Sequence, residues 1–319
     1  MSTTVQETKK DQIVLIVPCF NEEENIPLFV DTAHEELKSF DWKVIFVNDG
    51  SSDETWSIIC MLHQQNTNVH GLCLSRNFGH QQALRAGMEE ALKNYPADAY
   101  ITMDADLQHP ISLIHEMMTS HRNGAHIVQC LREDKGRRIS LLKKWTSSLF
   151  YKTFSWLSGI EMYAGQSDFR LFDRQTLDFI VRCKEKDLFL RGLLPWSGLK
   201  TVTIPYKPSE RLHGTSKFTM KKMSNLAISG IVGYSLRPLY FTILLGGICL
   251  LLALLYIIYV LAITLLGSSQ VSIGWPSIIA TILLLGGVQL FMLGIIGIYL
   301  GRMFMEIKHR PSYLVERSI

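Results

Sequence analysis

The chain has 319 residues, with 32 Lys and Arg against 29 Asp and Glu and a formal net charge of +3. So small an excess gives no case for a nucleic-acid surface, and its six scattered cysteines, none in a CxxC pair, read as reduced structural thiols instead of a disulfide framework. The charge is unevenly spread: no charged residue occurs from Pro238 to Gly267 or from Ser268 to Gly301, and each stretch exceeds the ~20 residues that cross a hydrocarbon core as a helix.

Taken in chain order, Met1 to Gln12 is polar and lacks the apolar core of a signal peptide. Short apolar runs come next at Ile13 to Val17, Val44 to Val47, Gly71 to Leu74, Ala99 to Met103 and Ile127 to Cys130, which predict strands. Between them, Glu23 to Ser39, Asp53 to Gln65, Gln81 to Lys93 and Ile111 to Arg122 predict helices. This alternation predicts an α/β fold with a mostly parallel sheet covered on both faces, whose ligands bind beyond the carboxyl ends of the strands. Pro18, Asn21 and Glu22 follow the first strand, Asn48, Asp49 and Asp53 the second, and Arg76 and Asn77 the third. No GxGxxG or GxxxxGK[ST] is present, so a dinucleotide fingerprint and a P-loop are both unsupported.

The fourth strand ends in Asp104-Ala105-Asp106-Leu107-Gln108-His109-Pro110. Residues two apart on an extended chain point the same way, so Asp104, Asp106 and Gln108 would present oxygens to one point. Such oxygens suit Mg2+ or Mn2+ completed by substrate phosphates. The plainer reading is that the two acids end a strand and cap the helix after Pro110. Likewise, Asp49 to Asp53 reads as a turn and helix cap or as a reader of nucleobase and ribose donors.

Near residues 138–158, Leu142, Trp145, Leu149, Phe150, Phe154 and Leu157 form an apolar face beside Lys143, Lys144 and Lys152, which fits either an interfacial helix or a core helix. Asp168 then opens a further strand. Arg211 to Lys217 places Gly214, Thr215, Ser216 and two cations just before the apolar stretches, an anion loop suited to lipid phosphate or headgroups. The apolar stretches predict spans at about 238–266 and 277–301. Lys217, Lys221, Lys222 and Arg237 precede the first, and Arg302, Lys308 and Arg310 follow the second, so both termini are expected in the cytoplasm. The domain map is thus 1–230, 231–305 for the hairpin and 306–319 for a tail.

These motifs, in order, resemble the family-2 glycosyltransferases of GT-A fold that load sugars onto polyprenyl phosphates, including the dolichyl-phosphate mannose synthases and the bactoprenol glucosyltransferases of the GtrB type. The resemblance rests on Val17 to Glu22, Val47 to Asp53, Ser75 to Gly79, Asp104 to Pro110, Ser167 to Leu171, Arg211 to Lys217 and the two spans. It implies nucleotide-sugar contacts at Pro18, Asn21, Glu22, Asp49, Asp53, Arg76 and Asp104. It implies a metal, Mg2+ or Mn2+, on Asp104, Asp106 and Gln108, with Asp106 and Asp168 in the catalytic centre and Asp168 matching the acid assigned as base. Arg211, Ser216 and Lys217 would bind diphosphate or lipid phosphate. It further implies an inverting transfer, with UDP-glucose as preferred donor and polyprenyl phosphate as acceptor, at the cytoplasmic membrane by a homo-oligomer, with a tetramer as its suggested form. UDP-N-acetylglucosamine or GDP-mannose as donor, and a non-catalytic nucleotide-sugar-binding scaffold, are the alternatives. A processive synthase needs more spans and a QxxRW motif, and neither is seen.

Overall fold

Apolar residues on both faces of a strand require a layer on each side, and the strand Gln12–Cys19 (β1) is buried along all but its first residue. In a computed structural model, which describes residues 10–133, 165–185, 189–209, 235–265 and 274–319, β1 pairs in parallel with Asp41–Asn48 (β2) and with Ala99–Thr102 (β4), and β2 pairs in parallel with Val69–Leu74 (β3). The crossovers are helices Asn25–Glu36 (α1), Thr55–Gln65 (α2) and His80–Asn94 (α3). A short 3-10 turn after Pro110 leads into Ile114–Arg122 (α4), and then the chain forms Ile127–Arg132 (β5), Gln166–Asp173 (β6), helices Arg174–Arg182 (α5) and Leu190–Ser197 (α6), and Thr201–Tyr206 (β7).

With Val315–Ser318 (β8) added, the strand order is β7-β5-β6-β4-β1-β2-β3-β8. One face packs Phe29, Phe46, Met117 and Phe169 into a core, and the other packs Ile16, Val47, Leu84, Met88 and Phe172. On that second face α3 lies so close to the sheet that a Cβ on Gly87 would stand 2.5 Å from an Ile16 methyl and 2.8 Å from one of Val47. The close approach carries the start of α3 onto the end of the sheet where β1 and β2 finish.

The sheet is mixed, and the antiparallel member matters most for the site. β6 runs antiparallel to both β4 and β5, with Arg170 opposite Thr102 and Gln166 opposite Leu131. An antiparallel strand begins where its neighbours end. Gln166 and Asp168 therefore lie at the same end of the sheet as Asp104.

A second departure is at residues 306–319, where the sequence predicts only a tail. There β8 pairs antiparallel with β3, Gly71 and Ile319 exchange backbone hydrogen bonds of 3.0 and 2.9 Å, and Ile319 packs on the core. The tail carries no alternating apolar pattern of its own, so periodicity gives no sign of it.

The described residues fall into two compact units, the sheet and its helices with residues 311–319 in one, and residues 235–265 and 274–310 in the other. The second consists of helices Arg237–Leu265 (α7) and Trp275–Ile307 (α8), both long and apolar enough to cross a membrane. Large apolar side chains such as Ile243, Leu250 and Leu290 stand exposed on them. The Tyr299 hydroxyl donates to the Ser235 carbonyl at 2.7 Å within this unit. The helix expected near 138–158 and the loop carrying Arg211, Ser216 and Lys217 lie outside the described residues.

Candidate active site

The loops that follow β1, β2 and β3 are tied together by the very residues expected to bind nucleotide. Asn21, at φ 54°, donates its backbone N–H to Ser51 Oγ at 2.9 Å and accepts from the Ser52 N–H at 2.9 Å. The Glu22 N–H donates to Thr55 Oγ1 at 3.0 Å, and its carboxylate accepts from Asn25 Nδ2 at 2.6 Å. Asp53 accepts from the Thr55 hydroxyl at 2.5 Å and from the Thr55 N–H at 3.2 Å, which serves the first turn of α2. Pro18 is buried within β1.

Asp49 is only 2% exposed, and its two oxygens accept from the Phe78 N–H at 2.7 Å and the Gly79 N–H at 2.9 Å. Burial pushes its carboxyl up from the ordinary carboxylate value, against the pull of those two amides. In this geometry Asp49 holds the loop after β3 in place. Gly50 completes the junction: at φ +66° a Cβ would lie 2.4 Å from the backbone carbon of Arg76. Arg76 stacks its guanidinium over the Phe78 ring at 4.1 Å and stays exposed.

After β4 the two acids have different settings. The Asp104 side chain is 40% exposed, and its backbone N–H donates to His109 Nδ1 at 3.0 Å. Acceptance at Nδ1 leaves the proton of a neutral His109 ring on Nε2, which lies 3.8 Å from Asp104 Oδ2. The His109 ring is itself buried and stacked on Phe169 with centroids 5.0 Å apart. Asp106 is buried and accepts from the Gln108 N–H at 3.2 Å and from Gln108 Nε2 at 3.0 Å, while Arg132 donates to Gln108 Oε1 at 3.2 Å. Gln108 thus orients Asp106 with one end of its amide and meets Arg132 with the other. Leu107 between them has φ 57°, a left-handed conformation rare for a branched side chain.

Asp168 sits close by. His80 Nε2, at the start of α3, lies 3.3 Å from Asp168 Oδ2 and 3.7 Å from Asp104 Oδ1, so a single imidazole edge faces both acids. Gln81 Nε2 donates to Asp168 Oδ2 at 3.3 Å, Arg191 approaches the same oxygen at 3.9 Å, and Arg170 NH2 lies 3.5 Å from Oδ1. The Asp168 carbonyl accepts from Thr102 Oγ1 at 2.7 Å, which pins β6 to β4 at this point.

Burial alone would raise the Asp168 carboxyl, but the His80 hydrogen bond and the charges of Arg170 and Arg191 hold it well below the usual carboxylate range. Burial favours a neutral His80, yet with 42% of its side chain accessible that penalty is overtaken by Asp168 and Asp104, and His80 is pushed up to about 9. These partners favour the ionised form of Asp168 and make it a weaker proton acceptor. The acids expected from sequence are therefore assembled, and His80, Gln81, His109, Arg170 and Arg191 join them. Spacing contains one hint of this: Arg170 is two residues from Asp168 on a strand, hence on its face.

Among the described residues no group of three or more His, Cys, Asp and Glu side chains forms a metal cage. Two hard carboxylate donors, the exposed Asp104 and the Asp106 aligned by Gln108, nonetheless fit a Mg2+ or Mn2+ ion whose other ligands come from phosphate and water.

Residues 14–179 match the model of glycosyl transferase family 2. The chain is 38% identical to the SfII prophage-derived bactoprenol glucosyl transferase of Shigella flexneri over 96% of this chain and 98% of that protein. It is 38% identical to the prophage bactoprenol glucosyl transferase homolog of Escherichia coli K12 over 96% and 99%, and 39% identical to the uncharacterized glycosyltransferase YkoT of Bacillus subtilis over 95% and 91%. A mixed sheet of GT-A type with its acids gathered at one end, matched by sequence along nearly its whole length, makes this chain a polyprenyl-phosphate glycosyltransferase of family 2.

Proposed function

We propose that this enzyme transfers glucose from UDP-glucose to a polyprenyl phosphate, inverting the anomeric centre, at the cytoplasmic face of a membrane spanned by α7 and α8. The observation that carries the reading is the meeting of Asp104, Asp106 and Asp168 at one end of the sheet, in a chain that also has two helices apolar enough for a bilayer. The relatives' names supply the class of acceptor and the sugar.

In this reading Asp104 and Asp106 hold Mg2+ or Mn2+, and when bound that ion supplies Lewis-acid charge for the diphosphate leaving group. His109 fixes the Asp104 backbone, and Gln108 aligns Asp106. Pro18, Asn21, Glu22, Asp49, Asp53 and Arg76 shape the loops around the nucleoside. A phosphate oxygen of the acceptor forms the new bond to the sugar C1 as the bond from C1 to the UDP oxygen breaks. That phosphate is already anionic, so no strong base is required, and Asp168 orients neighbouring groups instead of taking a proton. Arg211, Ser216 and Lys217 bind the acceptor phosphate, and the basic residues flanking the hairpin set both termini in the cytoplasm. The protein works as a homo-oligomer.

The test is transfer in membranes from radiolabelled UDP- and GDP-sugars to undecaprenyl phosphate, with and without chelator. A chelator-sensitive, chloroform-soluble glucosyl product from UDP-glucose is expected. The same product from another donor alone corrects the sugar, and nucleotide binding without any lipid product overturns the enzymatic reading.

A further inference from the structure

Arg170 is the largest fully buried side chain among the described residues, and a charge so placed needs an account. Its Nε, NH1 and NH2 atoms are all buried and make no hydrogen bond. Asp168 Oδ1, 3.5 Å from NH2, is likewise buried and unbonded. Arg170 lies on the central antiparallel strand β6, opposite Thr102 of β4 and Gln129 of β5. Packing therefore gives it nowhere to go. A long apolar side chain would fill that space at lower electrostatic cost, as replacements of buried ion pairs elsewhere illustrate.

The work of the arginine shows in the row of side chains that leads outward from it. Arg170 faces Asp168, Asp168 faces His80, and His80 faces Asp104, at 3.5, 3.3 and 3.7 Å. Side-chain exposure rises outward, from 1% at Arg170 through 12% at Asp168 to 42% at His80 and 40% at Asp104. Arg191, at 3.9 Å from Asp168, adds a second cation beside the middle of the row, and His109 approaches the other carboxylate oxygen of Asp104.

We propose that Arg170 is a positioning residue, the buried anchor of a row of contacting side chains through Asp168 and His80 that fixes the Asp104 carboxylate for binding a divalent cation with the donor diphosphate. The physical basis is that an anchored carboxylate keeps its imidazole in one orientation, and the imidazole keeps the outermost acid in one orientation. Partners behind a metal ligand commonly change metal affinity by about 10–100-fold when removed. The inference rests on the reading of Asp104 as a metal ligand. It assigns Asp168 to the same orienting work and leaves it no role as general base.

The experiment measures Mn2+ affinity of the full-length protein in detergent with UDP present, by electron paramagnetic resonance of free Mn2+, for wild type, Asp104→Asn, Arg170→Met and Arg170→Lys. Arg170→Met is expected to weaken Mn2+ binding about tenfold, with Arg170→Lys recovering most of it. Unchanged affinity in Arg170→Met, alongside lost affinity in Asp104→Asn, overturns the anchor. Unchanged affinity in Asp104→Asn overturns the metal assignment itself, and the link of the row to the metal falls with it.

Thermal unfolding gives a second and independent reading should Arg170→Met fold poorly. Asp168→Asn strands the buried guanidinium, whereas the double variant Asp168→Asn, Arg170→Met removes both charges. The double variant is expected to melt higher than Asp168→Asn alone. If it melts at the same temperature or lower, the pair is not the coupled unit the proposal requires.

Discussion

Asp49→Ala isolates the part of the site whose cost the geometry sets most directly. The substitution removes a 2%-exposed carboxylate that accepts two backbone N–H bonds, from Phe78 at 2.7 Å and Gly79 at 2.9 Å. A hydrogen bond to a charged group contributes about 1.5–3 kcal/mol, so two give ~3–6 kcal/mol. Phe78 and Gly79 are themselves half-buried, so water can reach the freed amides, and the lower end, ~3 kcal/mol, is expected. For a domain of this size each kcal/mol moves the melting temperature by about 2–4 °C, which gives a fall of ~6–12 °C. Asp49→Asn keeps one acceptor oxygen and should lose about half as much. The assay is thermal unfolding in detergent by intrinsic fluorescence at one fixed scan rate, with a UDP titration on the same samples. The loop after β3 should also shift, so UDP binding should weaken in the alanine variant. An Asp49→Ala protein that melts within about 2 °C of wild type, below the smallest shift worked out above, would refute the view that these two bonds hold the loop.

The same geometry sets other expectations. If the proposed function holds, Asp104→Asn and Asp106→Asn should each lower sugar transfer by at least about 100-fold, read by the lipid-product assay at saturating donor, because each would remove a charged metal ligand. Gly50→Ala should lower the melting temperature by several degrees, since its Cβ would meet the Arg76 backbone at 2.4 Å and its φ of +66° disfavours any side chain. His70 is held neutral, down to about 4, first by burial and then by the charges of Lys43 and His63. The unfolded chain takes that proton near pH ~6.5, so stability should fall as pH drops from about 6.5 toward 4, and His70→Gln should flatten this part of a melting-temperature profile. Ile319→Asp places a charge against the core beside Gly71 and should lower the melting temperature, an effect absent if β8 only rests on the surface.

The local elements of the sheet are legible in the sequence because the period of apolar residues changes with structure, as in Ile13 to Val17 and Gln81 to Lys93. Asp104 and Asp106 are legible for a different reason: residues two apart at a strand end point the same way, and the ordered motifs along the rest of the chain, more than the pair alone, give them a chemical reading. Their surroundings are hidden. His80 lies 24 residues before Asp104 and 88 before Asp168, and the three side chains meet only through the register of β6 against β4 and the packing of α3 on the sheet. Arg170 is hidden but for its spacing two residues from Asp168, because its full burial follows from the interior place of β6 in the sheet. Asp49 is legible only in part: its place at the end of β2 allows a turn role or a ligand contact, and the structure shows the turn role, with its oxygens accepting from the Phe78 and Gly79 amides.

The position of β8 in the sheet bears on how the protein is made. Synthesis proceeds from the N-terminus, so β3 is finished long before Val315–Ser318 leaves the ribosome, and both apolar helices are made in between. During that interval the β3 edge exposes unpaired backbone groups, the kind of edge that recruits other strands. The nascent chain thus carries an open hydrogen-bonding edge throughout the translation of α7 and α8, and the ladder closes only once Val315–Ser318 has been made. Ribosome-bound chains stalled before residue 315 should be the species most dependent on chaperones, and that dependence should end when β8 emerges.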